Sequence, residues 1–381
     1  MKPRVLVVIG TRPEGIKLAP VIGALQRRGE EVETRTALTG QHTHLMDQVL
    51  DVFQLRPDWD LDIMREGQDL YDVTEKCLGG LRSVTREYRP DIVLVEGDTA
   101  SVFVASLVGF FERTRVGHVE AGLRSGNKWQ PWPEEVFRRL TGVVTDLHFA
   151  PTPAARANLL REGVSPASVF VTGNTVVDAV LAMSAVAHEP GNPDLRDALQ
   201  SGRRLVLVTA HRRESFGEPL RAAFGAIRQL ADRFADVLVI YPVHPNPNVR
   251  AAADEVLADH PRIVLTTPLD YLDLLAALRA STVVLTDSGG IQEEAPTFGR
   301  PVLVMREVTE RPEAVEAGVS VLVGTDPARI SAAASAILDG QRPREGPNPY
   351  GDGQAASRIA DIVIHSLTGA PRRTMDWPGA A

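Results

Sequence analysis

The chain contains a single cysteine, Cys77, so no disulfide framework can form within it. Cys77 lies in a helical-looking stretch with no histidine pattern around it, which reads as an inert, partly buried thiol rather than a nucleophile. No apolar run approaches the length of a membrane span, and the opening MKPRVLVVIG enters a strand at once, without the apolar core and cleavage site of a secretion signal. A soluble, cytoplasmic protein is expected. Positive charge is not in excess either: 41 basic against 49 acidic side chains leave a net charge of −8, which gives no general attraction to nucleic acid or an anionic membrane. Any anionic ligand must therefore be held by local donors. Also missing are a Walker G-K-S/T, a G-x-G-x-x-G after the first strand, a G-x-S-x-G elbow, and any His/Cys/Asp group at metal-ligand spacing. No metal and no cofactor are expected, and there is no internal repeat, heptad array or low-complexity block.

What is present has the pattern of an α/β protein. At 381 residues and 44% hydrophobic content the chain is long for one core and suits two domains. Short apolar runs at 5–9, 91–95, 204–208, 237–241 and 282–285 alternate with longer helical patterns, the signature of βαβ units on parallel sheets buried on both faces. A helical pattern over roughly 174–187 leads into the break HEPGNPD, near which the domains meet. An N-terminal Rossmann-like domain is expected over 1–175 and a second over 176–352, followed by a helix at about 353–368 and a tail, 369–381, expected to be disordered.

In open α/β sheets ligands sit beyond the carboxyl ends of the strands, and those turns are chemically unusual here. They read GTRPEGIK, EGDTAS, AHRRES, PVHPNPN and TDSGGIQEEA, five polar turns on the same side of two sheets, which describes an interdomain cleft. In the last of them Ser288, Gly289 and Gly290 offer a hydroxyl and bare N–H groups at a helix start, suited to a diphosphate, although a simply capped helix would look alike. Glu293 and Glu294 follow, one to accept ribose hydroxyls and one to complement the helix dipole. Arg12 and Lys17 can both face the same cleft from the first turn. His211, directly after a strand, suits neutralising or protonating a departing phosphate, and His244 occupies an equivalent turn. Histidines 118, 148, 188 and 260 read as structural or surface positions. Asp98, Glu120 and Glu134 are acids in strand-end or loop settings of the first domain, though Asp98 also suits a helix N-cap. The segment HVEAGLRSGNKWQPWPEE, from His118 to Glu135, is poor helix and poor core but good active-site loop. Acids in one domain facing phosphate binders in the other suggest proton chemistry on the sugar of a sugar nucleotide.

Ten collinear segments, GTRPEGIK, EGDT, HVEAGLRSG, PWPEE, TGNTVVDA, AHRRES, PVHPNPNV, TDSGGIQEEA, TERPEA and NPYGDGQAA, resemble the non-hydrolysing bacterial UDP-N-acetylglucosamine 2-epimerases over nearly the whole chain. The resemblance implies a glycosyltransferase-B fold of two Rossmann-like domains around an interdomain cleft, with the C-terminal helix returning to the first domain. It implies interconversion of UDP-GlcNAc and UDP-ManNAc through loss of UDP to 2-acetamidoglucal and its re-addition, by a cytoplasmic homodimer. Asp98, Glu120 and Glu134 match the family's catalytic acids and His211 its catalytic histidine. Arg12, Lys17, Ser288, Gly289, Gly290, Glu294 and Arg311 match residues that hold UDP, with Glu294 the ribose partner, and His244 belongs with the substrate-binding set. For the second UDP-GlcNAc that activates many members, Gln41, His42, Arg212, Glu214 and His244 fit, whereas His44 stands where some have glutamine and Gly67 where some have arginine. A weakened activation is expected. A hydrolysing epimerase that releases ManNAc, or a glycosyltransferase-B transferase, is the competing reading.

Overall fold

The computed structural model of the chain describes residues 2–40, 44–65, 67–341 and 346–380. It separates into two compact units, Met1–Ala179 with Tyr350–Ala381, and Val180–Pro349. The division falls inside the helix Thr175–Ser184 rather than at HEPGNPD. The start of that helix is tied to the first unit, because the Asp178 carboxylate accepts the backbone N–H groups of Ala355 and Ala356.

The first unit is built on seven strands: β1 (Arg4–Ile9), β2 (Glu33–Leu38), β3 (Trp59–Asp60), β4 (Ile92–Glu96), β5 (Arg115–Val119), β6 (Leu147–Ala150) and β7 (Val169–Val171). All pair in parallel, in the order β3-β2-β1-β4-β5-β6-β7. Strands such as Val5–Ile9 and Ile92–Glu96 are buried on both faces, which explains their unbroken apolar reading. One core layer sets Leu18, Ile22 and Leu25 against Ile359 and Val363, so the C-terminal helix Ala355–Thr368 packs on the helix Arg12–Arg27.

The tail corrects the expectation of disorder. Trp377 is buried and its N–H donates to the Val171 carbonyl, while Asp361 accepts from the N–H groups of Arg373 and Thr374 and the Thr374 hydroxyl. One large aromatic side chain and one buried carboxylate are enough to hold a segment whose Pro, Gly and Arg content alone reads as loose.

The second unit has six parallel strands, β8 (Arg204–Thr209), β9 (Val237–Pro242), β10 (Ile263–Thr266), β11 (Ser281–Thr286), β12 (Val302–Val304) and β13 (Ser320–Leu322), in the order β10-β9-β8-β11-β12-β13. Its core joins Val206, Val208, Val239 and Tyr241 to Phe224, Ile227 and Leu230 of the helix Glu218–Arg233. In both units the strand order reverses beside the first strand, between β1 and β4 and between β8 and β11. Those switch points open a crevice at the carboxyl ends of the strands. Among the described residues no helix is long and apolar enough to cross a membrane.

Candidate active site

At the switch point of the first unit, β1 runs into Gly10 and the helix Arg12–Arg27, and β4 into Gly97, Asp98 and the helix Ala100–Phe111. The turn after β1 is fixed by Glu14, whose carboxylate accepts from the Gly10 N–H at 2.6 Å and from the hydroxyls of Thr11 and Thr99 at 2.9 and 2.8 Å. A Cβ on residue 10 would lie 2.6 Å from Ser101 Cβ and 2.9 Å from Glu14, so this close approach requires glycine. Burial pushes the Glu14 carboxyl up to about 7, although the three donors oppose it. Arg12 is the first residue of that helix.

Lys17, one turn on, reaches back to the acids. It donates to Glu120 and lies 3.4 Å from Glu96 Oε1, with all three side chains nearly buried. The Asn174 amide donates to the same Glu120 oxygen at 2.7 Å. Glu120 directly follows β5 with φ +64°, a left-handed conformation that costs a non-glycine residue roughly 1 kcal/mol or more. Such an outlier persists where its surroundings over-determine it, and here an ammonium and an amide do so. Lys17 is thus placed with the acids. Burial holds Glu96 well above the usual carboxylate range, Lys17 pulling the other way and Glu120, Glu14 and Asp98 reinforcing it.

Asp98 is held by two nitrogens of Arg138, and Arg138 also donates to Glu135 at 3.0 Å. Thr99, not Asp98, caps the following helix, accepting from the Val102 N–H, which leaves the Asp98 carboxylate to the arginine. Glu134 and Arg138 are four residues apart on the helix Glu134–Val144, so they share the face turned to Asp98. Glu135, fully buried, accepts the N–H groups of Ser125 and Gly126 and so clasps the start of the loop to its end. His118 lies inside the sheet with Nε2 2.7 Å from the Gly97 carbonyl, and burial pushes it down to about 4. It is a neutral donor that braces the turn before Asp98, in keeping with a structural role.

At the switch point of the second unit, Asp287 is the organising residue. One carboxylate oxygen accepts the N–H groups of His211 and Arg212 at 2.7 and 2.8 Å, and the other lies 3.1 Å from His211 Nδ1. Burial pulls Asp287 up, but the His211 side chain and these N–H donors outweigh it and hold the carboxyl below its usual range. With Nδ1 so engaged, Nε2 is the ring nitrogen left to meet a ligand. The His244 ring stacks on His211 at 5.5 Å between centroids, and burial first, then the charge of His211, lowers its basicity.

Ser288 stands at the N-cap of the helix Gly289–Glu294 without using its side chain as a cap, and its N–H donates to Thr286 Oγ1 at 2.9 Å. Gly290 has open space beside it, with Ser288 Oγ 4.0 Å from where a Cβ would stand, whereas a Cβ on residue 289 would meet the Arg311 guanidinium at 2.7 Å. Arg311 donates to Glu293 and Glu310, both at 2.6 Å, and all three are nearly buried. Arg311 thus props the glycine turn from beneath, and Glu293 is committed to that prop. Glu294, also buried, is the other acid of the pair. Arg212 lies 4.0 Å from Glu310 and Glu214 lies 3.4 Å from Arg306. Gln41 and His42 lie outside the described residues; His44 begins the helix His44–Val52 and Gly67 sits in an exposed turn.

A family model described as UDP-N-acetylglucosamine 2-epimerase matches residues 24–364. The Yersinia pestis UDP-N-acetylglucosamine 2-epimerase is 47% identical over 377 residues, covering 96% of this chain and 100% of that protein. The chain belongs to the UDP-N-acetylglucosamine 2-epimerase family. S. aureus MnaA, solved with UDP, is 42% identical with a TM-score of 0.91, covering 99% of this chain and 100% of that one. The Neisseria meningitidis UDP-GlcNAc 2-epimerase, solved with UDP-GlcNAc, is 38% identical with a TM-score of 0.86, covering 96% of this chain and 100% of that one. A kitacinnamycin glycotransferase, at 13% identity and a TM-score of 0.60, shares the fold alone, in line with two parallel-sheet domains of the glycosyltransferase-B kind. As a member of the 2-epimerase family the chain is an enzyme, an isomerase.

Several residues that build these family sites escaped the sequence. Arg138 had a signal, four residues after Glu134; Asp287 sits directly beside Ser288; Glu14 and Glu96 lie inside segments already singled out. Asn174 lies inside the segment TGNTVVDA, but nothing in the sequence announces its contact with Glu120 across 54 residues. The structure also gathers His188, Asp270 and Asp273, a group without sequence spacing to announce it. Asp273 is already committed there to His188 at 2.6 Å and to the N–H groups of Gly191 and Asn192, which pins the HEPGNPD turn.

Proposed function

We propose that this 2-epimerase family member interconverts UDP-GlcNAc and UDP-ManNAc without hydrolysing them. The base takes the C2 proton, the C1–O bond breaks with its electron pair leaving on UDP, and a C1=C2 double bond gives 2-acetamidoglucal. UDP then adds back while a proton returns to the other face of C2. Hydrogen and leaving group are both restored, so the steps are redox-neutral and require no cofactor.

The observation that carries this reading is the setting of Glu120, a buried carboxylate in a left-handed backbone conformation between Lys17 and Asn174. Removing a weakly acidic C–H needs a base and an acid held in place without water to level them. In this proposal Asp98, Glu120 and Glu134 carry the proton transfers. His211, oriented by Asp287, meets the departing diphosphate, with Arg12, His244, Ser288, Gly289 and Gly290 as its further binders and Glu294 on the ribose. Lys17 and Arg311 act through the carboxylates they hold rather than on UDP. UDP and UDP-GlcNAc bound to the S. aureus and N. meningitidis relatives support these ligands here. Activation by a second UDP-GlcNAc would draw on Arg212 and Glu214, and the cytoplasmic homodimer of the resemblance completes the proposal.

Incubation with UDP-GlcNAc in deuterium oxide, followed by NMR, tests it. UDP-ManNAc carrying solvent deuterium at C2 is the expected product. Stoichiometric free ManNAc and UDP would instead identify a hydrolysing enzyme, and epimerised product without deuterium would remove the acids from the mechanism.

A further inference from the structure

Glu96 is the last residue of β4, paired in register with Val119 just before Glu120, and only 2% exposed. Its Oε1 makes no hydrogen bond among the described residues, and the cation nearest to it there is the Lys17 ammonium at 3.4 Å. Lys17 lies closer to Glu120, so the ammonium nearest to Glu96 is shared with a second buried carboxyl group. The charged groups around Glu96 are Lys17 and Glu14 from the helix after β1, Asp98 from its own turn, and Glu120 after β5. His118, on β5, is neutral and committed to Gly97. Asp98 is taken by Arg138. Ionising Glu96 would add a second negative charge beside Glu120, while the cation nearest to Glu96 among the described residues, Lys17, is already bound to Glu120; a buried charge with little compensation costs several kcal/mol.

We propose that Glu96 is a positioning residue for the epimerisation: held as a neutral carboxylic acid, it leaves the Lys17 ammonium to Glu120, and on losing its proton it draws Lys17 away and misplaces Glu120. The proton released goes to solvent at high pH, and no other bond changes. This inference rests on the reaction proposed above, because it assigns Glu120 to proton transfer. Burial supports it in the same direction, since it disfavours the charged carboxylate and holds the Glu96 carboxyl well above the usual range.

The test compares kcat and kcat/KM against pH for the full-length enzyme and its Glu96→Gln and Glu96→Asp variants. In Glu96→Gln, whose amide keeps the shape of the neutral acid, the alkaline fall of kcat should move up by about one pH unit or more, with KM little affected. Its plateau kcat should fall by less than the roughly 10²-fold expected when a proton-transfer group is lost. Glu96→Asp should keep an alkaline fall. A Glu96→Gln profile that superimposes on the parent, or a plateau as low as that of Glu120→Gln, would overturn the proposal. Infrared spectra provide the second reading. Above the titration of Glu14 the parent should still show the carbonyl band of a protonated carboxyl, absent from Glu96→Gln. No such band in the parent overturns the proposal whether or not the variant folds. Should the parent release free ManNAc while keeping the band, the reaction reading fails and the protonation of Glu96 stands.

Discussion

In the first unit β4 ends at Glu96 beside β1, and the acids near it are Asp98 after β4, Glu14 after β1 and Glu120 after β5. In the second, β11 ends at Thr286 beside β8, and the acids after it are Asp287, Glu293 and Glu310. Strand order and switch point correspond, yet the electrical balance is opposite. In the first unit Glu96 and Glu120 share Lys17, Arg138 holds Asp98, and among the described residues Glu14 has only N–H and O–H donors. In the second, Glu310 alone is approached by Arg311, Arg306 and Arg212, and Asp287 by His211 and two backbone N–H groups. Topology decides where polar groups gather, and the count of cations decides what they can do. Glu14 and Glu96, buried with little positive charge beside them, are held toward the protonated form, whereas Glu310, met by arginines, stays charged and supports a turn.

The largest effect that could break this contrast is on turnover. Glu120→Gln keeps the shape of the side chain and its bond to Asn174 but cannot take a proton. Turnover should drop roughly 10²–10⁴-fold, while UDP affinity, measured by calorimetry, should change little because Glu120 is not among the residues proposed to hold UDP. An equal loss of affinity and turnover would mean that the acids hold the nucleotide.

The next effect is on stability and belongs to the second unit. Arg311→Ala leaves Glu293 and Glu310 buried with less compensation, which should cost about 3–5 kcal/mol in urea unfolding. Gly289→Ala sharpens the point, because its Cβ would stand 2.7 Å from Arg311 Nη1. It should destabilise the parent yet add little to Arg311→Ala, so the pair should be strongly non-additive. Additive costs would show that the guanidinium does not support the turn.

This division also marks where sequence was readable. Strand runs such as Val5–Ile9 and Val237–Tyr241 announce themselves because burial on both faces demands apolar residues throughout. Glu120, Asp98 and Ser288 were legible as strand-end residues in unusual turns. Their settings were not. Arg138 meets Asp98 across 40 residues and Asn174 meets Glu120 across 54, separations that only the sheet order brings together. The resemblance assigns Lys17 and Arg311 to UDP, and only side-chain geometry reveals the carboxylates that each one holds. The tail misled for the opposite reason: its composition is loose, and buried Trp377 together with the Asp361 carboxylate outweighs it.

The smallest of these effects is also the most direct comparison of the two units, because their stabilities should respond to pH in opposite directions. Burial raises Glu14 from 4.5 to about 7, so the folded chain keeps a proton that the unfolded chain releases. That linkage leaves stability unaffected below about pH 4.5, lowers it as pH rises from there to about 7, and leaves a full cost of about 3 kcal/mol above. Glu310 is the reverse. Burial raises it, but Arg311 and Arg306 more than compensate and bring it down to about 2. Its contribution, also about 3 kcal/mol, is fully present above about 4.5 and is lost as pH falls through about 2. Hydrogen exchange read peptide by peptide should therefore show β1, β4 and the helix Arg12–Arg27 loosening between about pH 5 and 8, and the turn around Gly289 and Arg311 loosening below about pH 4. If both units loosened at the same end of the scale, the difference in cation count would not govern them, and the assignment of proton chemistry to the first unit would lose its electrostatic basis.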